Sequence, residues 1–454
     1  MMASSNRLYF LDPLRALAIL MVVAIHAAIP YLSIDLPDLF WLIKEPAKNQ
    51  ILDWFCWWIE MSAMPMFFFI SGFLSARQRE SRGAMDFLAG KVERILIPFV
   101  LACAFVLPLA YVVWSAGWLR SGWCTLGDAL MVRFEPAIER HLAGPAHLWF
   151  LEYLFIICLL YAALSKVPQK DFSPRYGVVG APLLLALPIS LILFWDPGAM
   201  FNFHNSFIPA PLRFSHYAVI FLSGAFLYRV KDLTDKLCRV FPVYLALSVP
   251  FFILAGLSLQ TFFSGSMLPE NRVLIAISCA LFQWLFLLGL IGFCARFYGR
   301  ERGFIRYLSD AAYWIYISHF PLVGFVQLGL YKIPLPQGYK FLLAFSVPLA
   351  VCLWTYPRVA GPASLKDSLG WFQRALASVI LAALILFMGF SYQYLYGLEK
   401  KRYEGIITGF YQKYFERAPD PVDLEHWTMM ALNKWGLQKV EQIGFLEAKM
   451  QGAK

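Results

Sequence analysis

Three ionisable residues near the N-terminus are spaced to share one face of a predicted helix. Asp12, Arg15 and His26 all lie in an apolar stretch that covers residues 10–32. On an α-helix the directions of Arg15 and His26 differ by about 20°, and Asp12 falls within about 40° of His26. Imidazole titrates near neutral pH and can act as a general base, whereas an acid and an arginine at positions i and i+3 can form an ion pair. We therefore expect a proton-transfer group, His26, at one end of this face and a charged pair at the other.

Further ionisable side chains lie in or beside other apolar stretches, at a comparable depth. These residues are Glu60, His147, Glu152, Arg213, His216 and His319. For Glu60 and His216 an interhelical hydrogen bond is the better single explanation, whereas for His319 lining a site and packing explain the residue equally well. Because ionisable groups are costly in lipid, their clustering in one half of the membrane indicates a site more strongly than any single member does.

The composition identifies the elements that must position these groups as membrane helices. Hydrophobic residues make up 60% of the 454 residues and charged residues only 15%, against about 45–50% and 25% in soluble domains. So much apolar surface requires lipid as its solvent, which excludes a disordered chain. The eight cysteines show no paired spacing, so neither a disulfide scaffold nor a metal site is indicated. The net charge of +10 is spread among short loops, which argues against a nucleic-acid partner.

The hydropathy pattern predicts an all-α polytopic membrane bundle of 10–11 transmembrane helices with a small soluble helical tail. The predicted spans are 10–32, 51–76, 95–114, 146–165, 177–195, 207–228, 240–258, 273–295, 308–330, 340–357 and 375–396. One set of alternate connections contains about twice as many Lys and Arg residues as the other, which predicts a cytoplasmic N-terminus.

The pattern also predicts two domains, a transmembrane domain over 1–398 and a soluble tail over 399–454. The tail is rich in both acidic and basic residues, and we expect two or three short helices there. Asp420 and Pro421 are typical of an N-cap and first helical position. The side of the membrane on which the tail lies stays open.

Lys91 and Arg94 are a further candidate pair, three residues apart at the entrance of a predicted span. Such a pair can hold phosphate groups, although for this pair taken alone the positive-inside rule is the better explanation.

Together these features resemble the acyltransferase-3 family of bacterial integral-membrane O-acyltransferases. The resembling motifs follow the family order over about residues 7–360. They are Tyr9-Phe10-Leu11-Asp12-Pro13-Leu14-Arg15 followed by His26, which reproduces an R-x10-H signature, then Phe67-Phe68-Phe69-Ile70-Ser71-Gly72-Phe73, Lys91-Val92-Glu93-Arg94 before Pro98, His147-Leu148-Trp149-Phe150-Leu151 and Tyr316-Ile317-Ser318-His319-Phe320-Pro321.

The resemblance implies a multi-pass protein of the bacterial inner membrane. Cytosolic acyl-CoA would be a co-substrate, with no bound cofactor, and a periplasmic or envelope glycan hydroxyl would be the acceptor. His26 matches the family's essential histidine and Arg15 its essential arginine. Lys91 and Arg94 fall on its RxxR pair, with a lysine in place of the first arginine, which weakens a bidentate phosphate contact. Glu152 is a possible counterpart of an acidic residue that some members carry.

These assignments predict a mechanism in which His26 is the general base and Asp12 and Arg15 hold the donor phosphates. An acyl-histidine intermediate stays open beside direct transfer. The sequence looks closest to members that succinylate periplasmic glucans, and Arg213 is a candidate partner for a succinyl carboxylate, although succinyl and acetyl donors stay open. The alternatives from other classes are a glycan or acyl-group transporter without chemistry and a scaffold whose tail binds a partner.

Overall fold

The structure is a computed structural model. It describes residues 7–34, 36, 39–46, 48–131, 142, 144–164, 180–201, 205–230, 232–264, 269–359 and 400–431. Within these residues every regular element is a helix, which confirms the all-α prediction. Short 3-10 turns cover Ile29–Tyr31 and Ala146–Leu148, and a π-helical turn covers Val92–Leu96.

The helices are numbered in chain order. They are α1 (Leu11–Ala28), α2 (Gln50–Glu60), α3 (Ala63–Ser81), α4 (Ala84–Lys91), α5 (Ile97–Ser121), α6 (Leu126–Met131), α7 (Trp149–Leu164), α8 (Ala181–Trp195), α9 (Gly198–Phe201), α10 (Pro211–Leu227), α11 (Leu233–Phe263), α12 (Pro269–Phe297), α13 (Gly303–Leu330), α14 (Gln337–Val359), α15 (400–415) and α16 (Pro421–Met430).

Helices occupy ten of the eleven predicted membrane spans, and the eleventh, 375–396, lies outside the described residues. Among the described residues, seven helical segments are long and apolar enough to cross a membrane. They are Leu11–Tyr31, Gln50–Ser81, Ala84–Ser121, Ala146–Ala163, Leu233–Phe263, Glu270–Phe297 and Gln337–Val359. Helices α8 and α10 are shorter, with 15 and 17 residues, and α13 is long enough with 28 residues but less apolar. The chain is a multi-pass membrane protein.

The chain divides into two compact units. The first comprises Met1–Trp41, Glu45–Ala110 and His141–Pro362, and the second comprises Leu42–Lys44, Tyr111–Arg140 and Ala363–Lys454. The predicted boundary between residues 398 and 399 falls in a segment outside the described residues and stays a prediction.

Helix α1 is an interior helix of the first unit. Thirteen of its 18 residues are buried, and it packs against α13 and α3. A helix that is apolar on all sides must be surrounded by protein or lipid, and here the surroundings are neighbouring helices. A polar group on α1 must therefore find its partner within the protein and not in bulk water.

Two glycines allow helices α3 and α10 to pack with their backbones in contact. A Cβ atom at Gly72 would overlap the backbone carbonyl of Phe221, and one at Gly224 would overlap that of Phe69. Small residues at helix interfaces permit this close approach in membrane proteins. The interface explains the glycine within the phenylalanine-rich motif of α3.

The connection between α1 and α2, residues 29–49, is held to the bundle by polar contacts. Ser33 donates its backbone N–H to Asp53 Oδ1 at 2.8 Å. Glu45 donates its backbone N–H to the carbonyl of Pro30 and forms a 2.7 Å ion pair with Lys340 of α14. Both side chains of that pair are at most 9% exposed. A buried charge is tolerated only with such a partner, so the pair fixes this connection against α14.

In the second unit, α15 and α16 pack on each other through a small apolar cluster. Trp427 donates its indole N–H to the hydroxyl of Tyr411 at 3.1 Å. The Asp420 side chain accepts hydrogen bonds from the N–H groups of Val422 and Asp423, so the predicted N-cap is confirmed, with Pro421 at the first helical position. Two of the expected short helices are present, and residues 432–454 lie outside the described part of the chain.

Candidate active site

His26 lies in the last turn of α1, where its imidazole faces α13. Its Nδ1 atom is 2.8 Å from the carbonyl oxygen of Val22 and 3.1 Å from Nε2 of His319. The stretch of α1 places His26 about 16 Å from Arg15 along the helix axis, at about 1.5 Å per residue. One continuous helix therefore separates His26, the predicted proton-transfer group, from the charged residues Asp12 and Arg15, as predicted.

The hydrogen bonds of His319 determine which nitrogen of each ring carries a proton. Nδ1 of His319 is 2.9 Å from two carbonyl oxygens of α13, those of Ile315 and Tyr316. Since a carbonyl oxygen only accepts, this nitrogen carries the hydrogen, and Nε2 of a neutral ring is left with a lone pair. Nδ1 of His26 then faces two acceptors, Val22 O and His319 Nε2, and must carry the hydrogen itself. The unprotonated nitrogen of His26 is consequently Nε2, the atom that a general base requires.

His147 completes a cluster of three histidines, which we call the histidine cluster and define as His26, His147 and His319. The His147 ring lies 5.5 Å from the His319 ring between centroids, and its Nε2 is 3.1 Å from the carbonyl oxygen of Ile317. Nδ1 of His147 has no hydrogen-bond partner among the described residues. The sequence placed these histidines in three separate apolar stretches, and the structure brings them together.

Aromatic rings enclose the histidine cluster. The ring of Phe320 stacks on His147 with a centroid distance of 4.4 Å and meets His26 edge-on at 5.3 Å. Trp41, from the connection between α1 and α2, stacks on His26 at 5.8 Å. Such rings exclude water and provide flat apolar faces beside the nitrogen atoms.

Gln327 joins Trp41 to α1 and is a residue that the sequence did not indicate. Its Oε1 accepts the indole N–H of Trp41 at 2.8 Å, and its Nε2 donates to the carbonyls of His26 and Ala27 at 2.9 and 3.2 Å. The sequence could have drawn attention to it, because Gln327 is a polar residue within the apolar second half of α13, eight residues after His319. Trp41 had no such signal, because nothing in a connecting segment predicts which helix it contacts.

At the N-terminal end of α1 the carboxylate of Asp12 is held by several donors. Arg7 donates to it twice, from Nε at 3.0 Å and from Nη2 at 2.8 Å, and Ser309 donates at 3.1 Å. The hydrogen bond to Asp12 raises the pKa of Arg7 above its ordinary value. Arg7 also contacts Asp310 of α13 at 2.7 Å. The expected Asp12–Arg15 pair is present only at 3.9 Å, so Asp12 holds Arg7 more closely than Arg15.

An arginine-rich cavity of about 300 Å³ opens beside this network. Arg7, Arg15 and Arg77 line it together with Asp12, while Leu8, Leu11 and Leu74 form its apolar walls. The cations outnumber the single carboxylate, so the cavity suits an anion. Guanidinium groups bind phosphate oxygens with paired hydrogen bonds, which makes phosphate a fitting ligand chemistry.

Lys91 and Arg94 do not line this cavity. Lys91 donates to Ser75 Oγ at 3.1 Å, next to the cavity wall at Leu74, whereas the side chain of Arg94 is exposed. A π-helical turn over Val92–Leu96 follows Lys91 and contains Arg94. The predicted role of this pair in donor binding stays a prediction.

Arg213, in the first turn of α10, is a buried ionisable residue away from the histidine cluster. Its guanidinium lies 4.1 Å from the ring centroid of Trp149 and acts electrostatically on Glu60, the last residue of α2. Glu152 is buried in the first turn of α7, three residues after Trp149, and its Oε2 has no hydrogen-bond partner in the described part of the chain. His216 is fully buried and its Nε2 is 3.4 Å from Nε2 of Gln283, which fits the expected interhelical contact.

Among residues 7–431 that the structure describes, no group of three His, Cys, Asp or Glu side chains is arranged to hold a metal ion. The histidine nitrogens instead face carbonyl oxygens and one another.

The comparison with known protein families agrees with this arrangement. A family model described as an acyltransferase domain, that of the acyltransferase-3 family, matches residues 8–357. No curated protein and no solved structure matches the chain. The matched residues include the histidine cluster and nearly all of the arginine-rich cavity. The chain belongs to the acyltransferase-3 family and is a membrane acyltransferase.

Proposed function

We propose that the protein transfers an acyl group, succinyl or acetyl, from cytosolic acyl-CoA to hydroxyl groups of an osmoregulated periplasmic glucan. The observation that carries this proposal is the hydrogen-bond geometry of His26 and His319, from which we assign the unprotonated nitrogen of His26 to Nε2. The N-terminus lies in the cytoplasm and the protein resides in the bacterial inner membrane in this proposal.

His26 is the general base of the proposed reaction. A sugar hydroxyl is a weak nucleophile, and its proton passes to Nε2 of His26 as the oxygen attacks the thioester carbonyl. The new C–O bond forms, the C–S bond breaks, and the proton on His26 then reaches the departing thiolate of CoA. General-base help contributes about 10²–10⁴-fold, and holding donor and acceptor together in a dry bundle supplies a further large factor.

The arginine-rich cavity holds the phosphates of the donor. Arg15 is the central residue of this assignment, because its guanidinium is 3.9 Å from Asp12 while Arg7 takes the shorter bonds to that carboxylate. Asp12 therefore positions the arginines instead of binding phosphate, which its negative charge would repel. An extended pantetheine arm can bridge the distance of about 16 Å from Arg15 to His26 along α1. Lys91 and Arg94 are proposed as an outer phosphate contact beside the cavity.

The acceptor and the acyl group are proposed from a closer resemblance within the family. The motifs of the chain resemble those of glucan biosynthesis protein C, which succinylates periplasmic glucans, and the proposal takes its acceptor and acyl group from this resemblance. The phrases that carry this similarity are Tyr9-Phe10-Leu11-Asp12, Val92-Glu93-Arg94 with Pro98, His147-Leu148-Trp149-Phe150-Leu151 and Phe201-Asn202-Phe203. A succinyl group adds a carboxylate, and the buried guanidinium of Arg213 is the proposed partner for it.

The test is the mass of the periplasmic glucans from a host that lacks its own glucan acylation, with and without the full-length protein. We expect a succinyl or acetyl mass increment only when the protein is present, and the size of the increment identifies the acyl group. The competing function is transport without chemistry, which would change the amount of glucan in the periplasm but not its mass. An unchanged glucan mass would therefore reject acyl transfer to this acceptor.

A further inference from the structure

We infer that His319 is a positioning residue that acts through His26, by accepting a hydrogen bond from its Nδ1–H group. This inference rests on the proposed role of His26 as the general base. The two rings come from helices α1 and α13, which pack against each other, and the nitrogen atoms are 3.1 Å apart.

His319 is held as a fixed acceptor. The side chain is fully buried, and its Nδ1 is 2.9 Å from each of two carbonyl oxygens, those of Ile315 and Tyr316. These bonds orient the ring and keep the hydrogen on Nδ1, so Nε2 always presents a lone pair to His26. Turning the ring over would replace Nδ1–H by the Cδ2–H group at the two carbonyl oxygens and lose both hydrogen bonds.

Val22 supplies only one acceptor for the Nδ1–H group of His26. Its carbonyl oxygen already accepts the backbone N–H of His26, because both residues lie within α1 and are four positions apart. The second acceptor, His319, therefore secures the hydrogen on Nδ1 and leaves Nε2 unprotonated. When Nε2 takes the hydroxyl proton, the ring becomes a cation and its Nδ1–H bond to His319 strengthens. The contact is thus stronger in the transition state than in the ground state, which is the condition for raising kcat.

The geometry resembles the way in which a serine-protease base is oriented by a third group, with a neutral imidazole in place of a carboxylate. A neutral acceptor suits a buried position, since an additional charge would need its own partner there. The structure places His147 beside His319, but His147 donates from Nε2 to the Ile317 carbonyl and forms no hydrogen bond to His26 in the described residues.

The test compares His319→Gln with His319→Asn in full-length protein reconstituted in liposomes, with acyl-CoA and periplasmic glucan as substrates. These variants differ by one methylene and are both polar. The longer amide can place its oxygen near the position of Nε2, whereas the shorter one reaches only the position of Nδ1. We expect His319→Asn to lower kcat about 10- to 100-fold, the range for losing one hydrogen bond to a group that becomes charged, with KM little changed. His319→Gln should retain most of kcat.

A double-mutant comparison separates action through His26 from a general loss of structure. Once His26→Ala has removed the base, adding His319→Asn should lower kcat no further, because the two residues act as one unit. The matched control is His216→Asn, another fully buried histidine, which contacts Gln283. Any effect of His216→Asn on kcat should multiply with that of His26→Ala.

Three results would overturn the inference: equal kcat values for both His319 variants, a change confined to KM, or effects of His26→Ala and His319→Asn that multiply. Each of these can occur while the wild-type protein still acylates the glucan and His26→Ala does so about 10²–10⁴-fold more slowly. In that case only the role of His319 is rejected. Absence of acyl transfer by the wild-type protein would reject the proposed function itself.

Discussion

The indole of Trp41 lies nearly parallel to the imidazole of His26, with an interplanar angle of 18° and 5.8 Å between the ring centroids. Gln327 fixes this stacking, since one amide group binds the indole N–H and the end of α1 at the same time. The residue that carries the proposed chemistry is therefore held from two sides, by the ring of His319 on α13 and by an aromatic face from the connection between α1 and α2.

We predict that Gln327→Leu destabilises the protein. The substitution removes the amide of Gln327 from the Trp41 indole N–H and from the His26 carbonyl, and loss of such buried polar contacts costs about 1–3 kcal/mol. Thermal unfolding in detergent should show a lower Tm. The control is Gln260→Leu, at an exposed position of α11, which should change stability by no more than about 0.5 kcal/mol. Equal Tm values for both variants would show that the Gln327 contacts contribute nothing.

Arg15→Gln should weaken donor binding more than it slows the chemical step. Loss of a charge-assisted hydrogen bond to phosphate predicts an increase in KM for acyl-CoA of about 10- to 100-fold, with kcat changed less. The KM of Arg15→Lys for acyl-CoA should lie between those of the wild-type protein and Arg15→Gln, because lysine keeps the charge but loses the paired geometry. Initial rates over a range of acyl-CoA concentrations measure both constants. If Lys91→Gln and Arg94→Gln raise KM and Arg15→Gln does not, the donor phosphates bind outside the cavity.

Gly72→Ala should separate helices α3 and α10. The new methyl group would overlap the backbone carbonyl of Phe221, which cannot move without its helix, and overpacking costs about 1–3 kcal/mol or more. Gly329→Ala on α13 is the matched control, since a Cβ atom there meets open space. Replacing a glycine in a helix by alanine favours the helix by about 0.5–1 kcal/mol, so the two variants should shift Tm in opposite directions. A higher Tm for Gly72→Ala would contradict the close packing.

Arg213→Gln should reduce succinyl transfer more than acetyl transfer. Only the succinyl group carries a free carboxylate. Because the variant removes the charged partner of this carboxylate, the rate of succinyl transfer should decrease by about 10-fold or more relative to that of acetyl transfer. The measurement is the ratio of the two products when succinyl-CoA and acetyl-CoA compete for one acceptor. Arg213→Lys, which keeps a positive charge, should retain part of the preference. An unchanged ratio in Arg213→Gln would assign the recognition of the acyl group to other residues.

The helical fold and the parts of the site that lie on helices were predictable, because apolar runs reveal membrane helices and ionisable residues within them are rare. His26, His147 and His319 were each identified in this way. Their mutual contacts were not predictable, since the sequence does not state which helices are neighbours. From the sequence, packing and lining a site explained His319 equally well. The 3.1 Å contact with His26 is the observation that favours lining a site.

Other features depend on residues from segments that no periodicity connects. The arginine-rich cavity unites Arg7, which precedes α1, with Arg77 of α3, and the pattern of either segment alone indicated only membrane orientation. The expected ion pair of Asp12 and Arg15 is present at 3.9 Å, but α1 alone could not show that Arg7 supplies shorter bonds to Asp12. The π-helical turn over Val92–Leu96, which contains Arg94, was not predicted from the sequence.

The most direct measurement is the mass of the periplasmic glucans from hosts that produce the wild-type protein or His26→Ala at equal membrane levels. With Nε2 of His26 as the base, the wild-type protein should yield acylated glucan. The variant should transfer about 10²–10⁴-fold more slowly, leaving almost no mass increment. A full increment with His26→Ala would show that another group takes the proton.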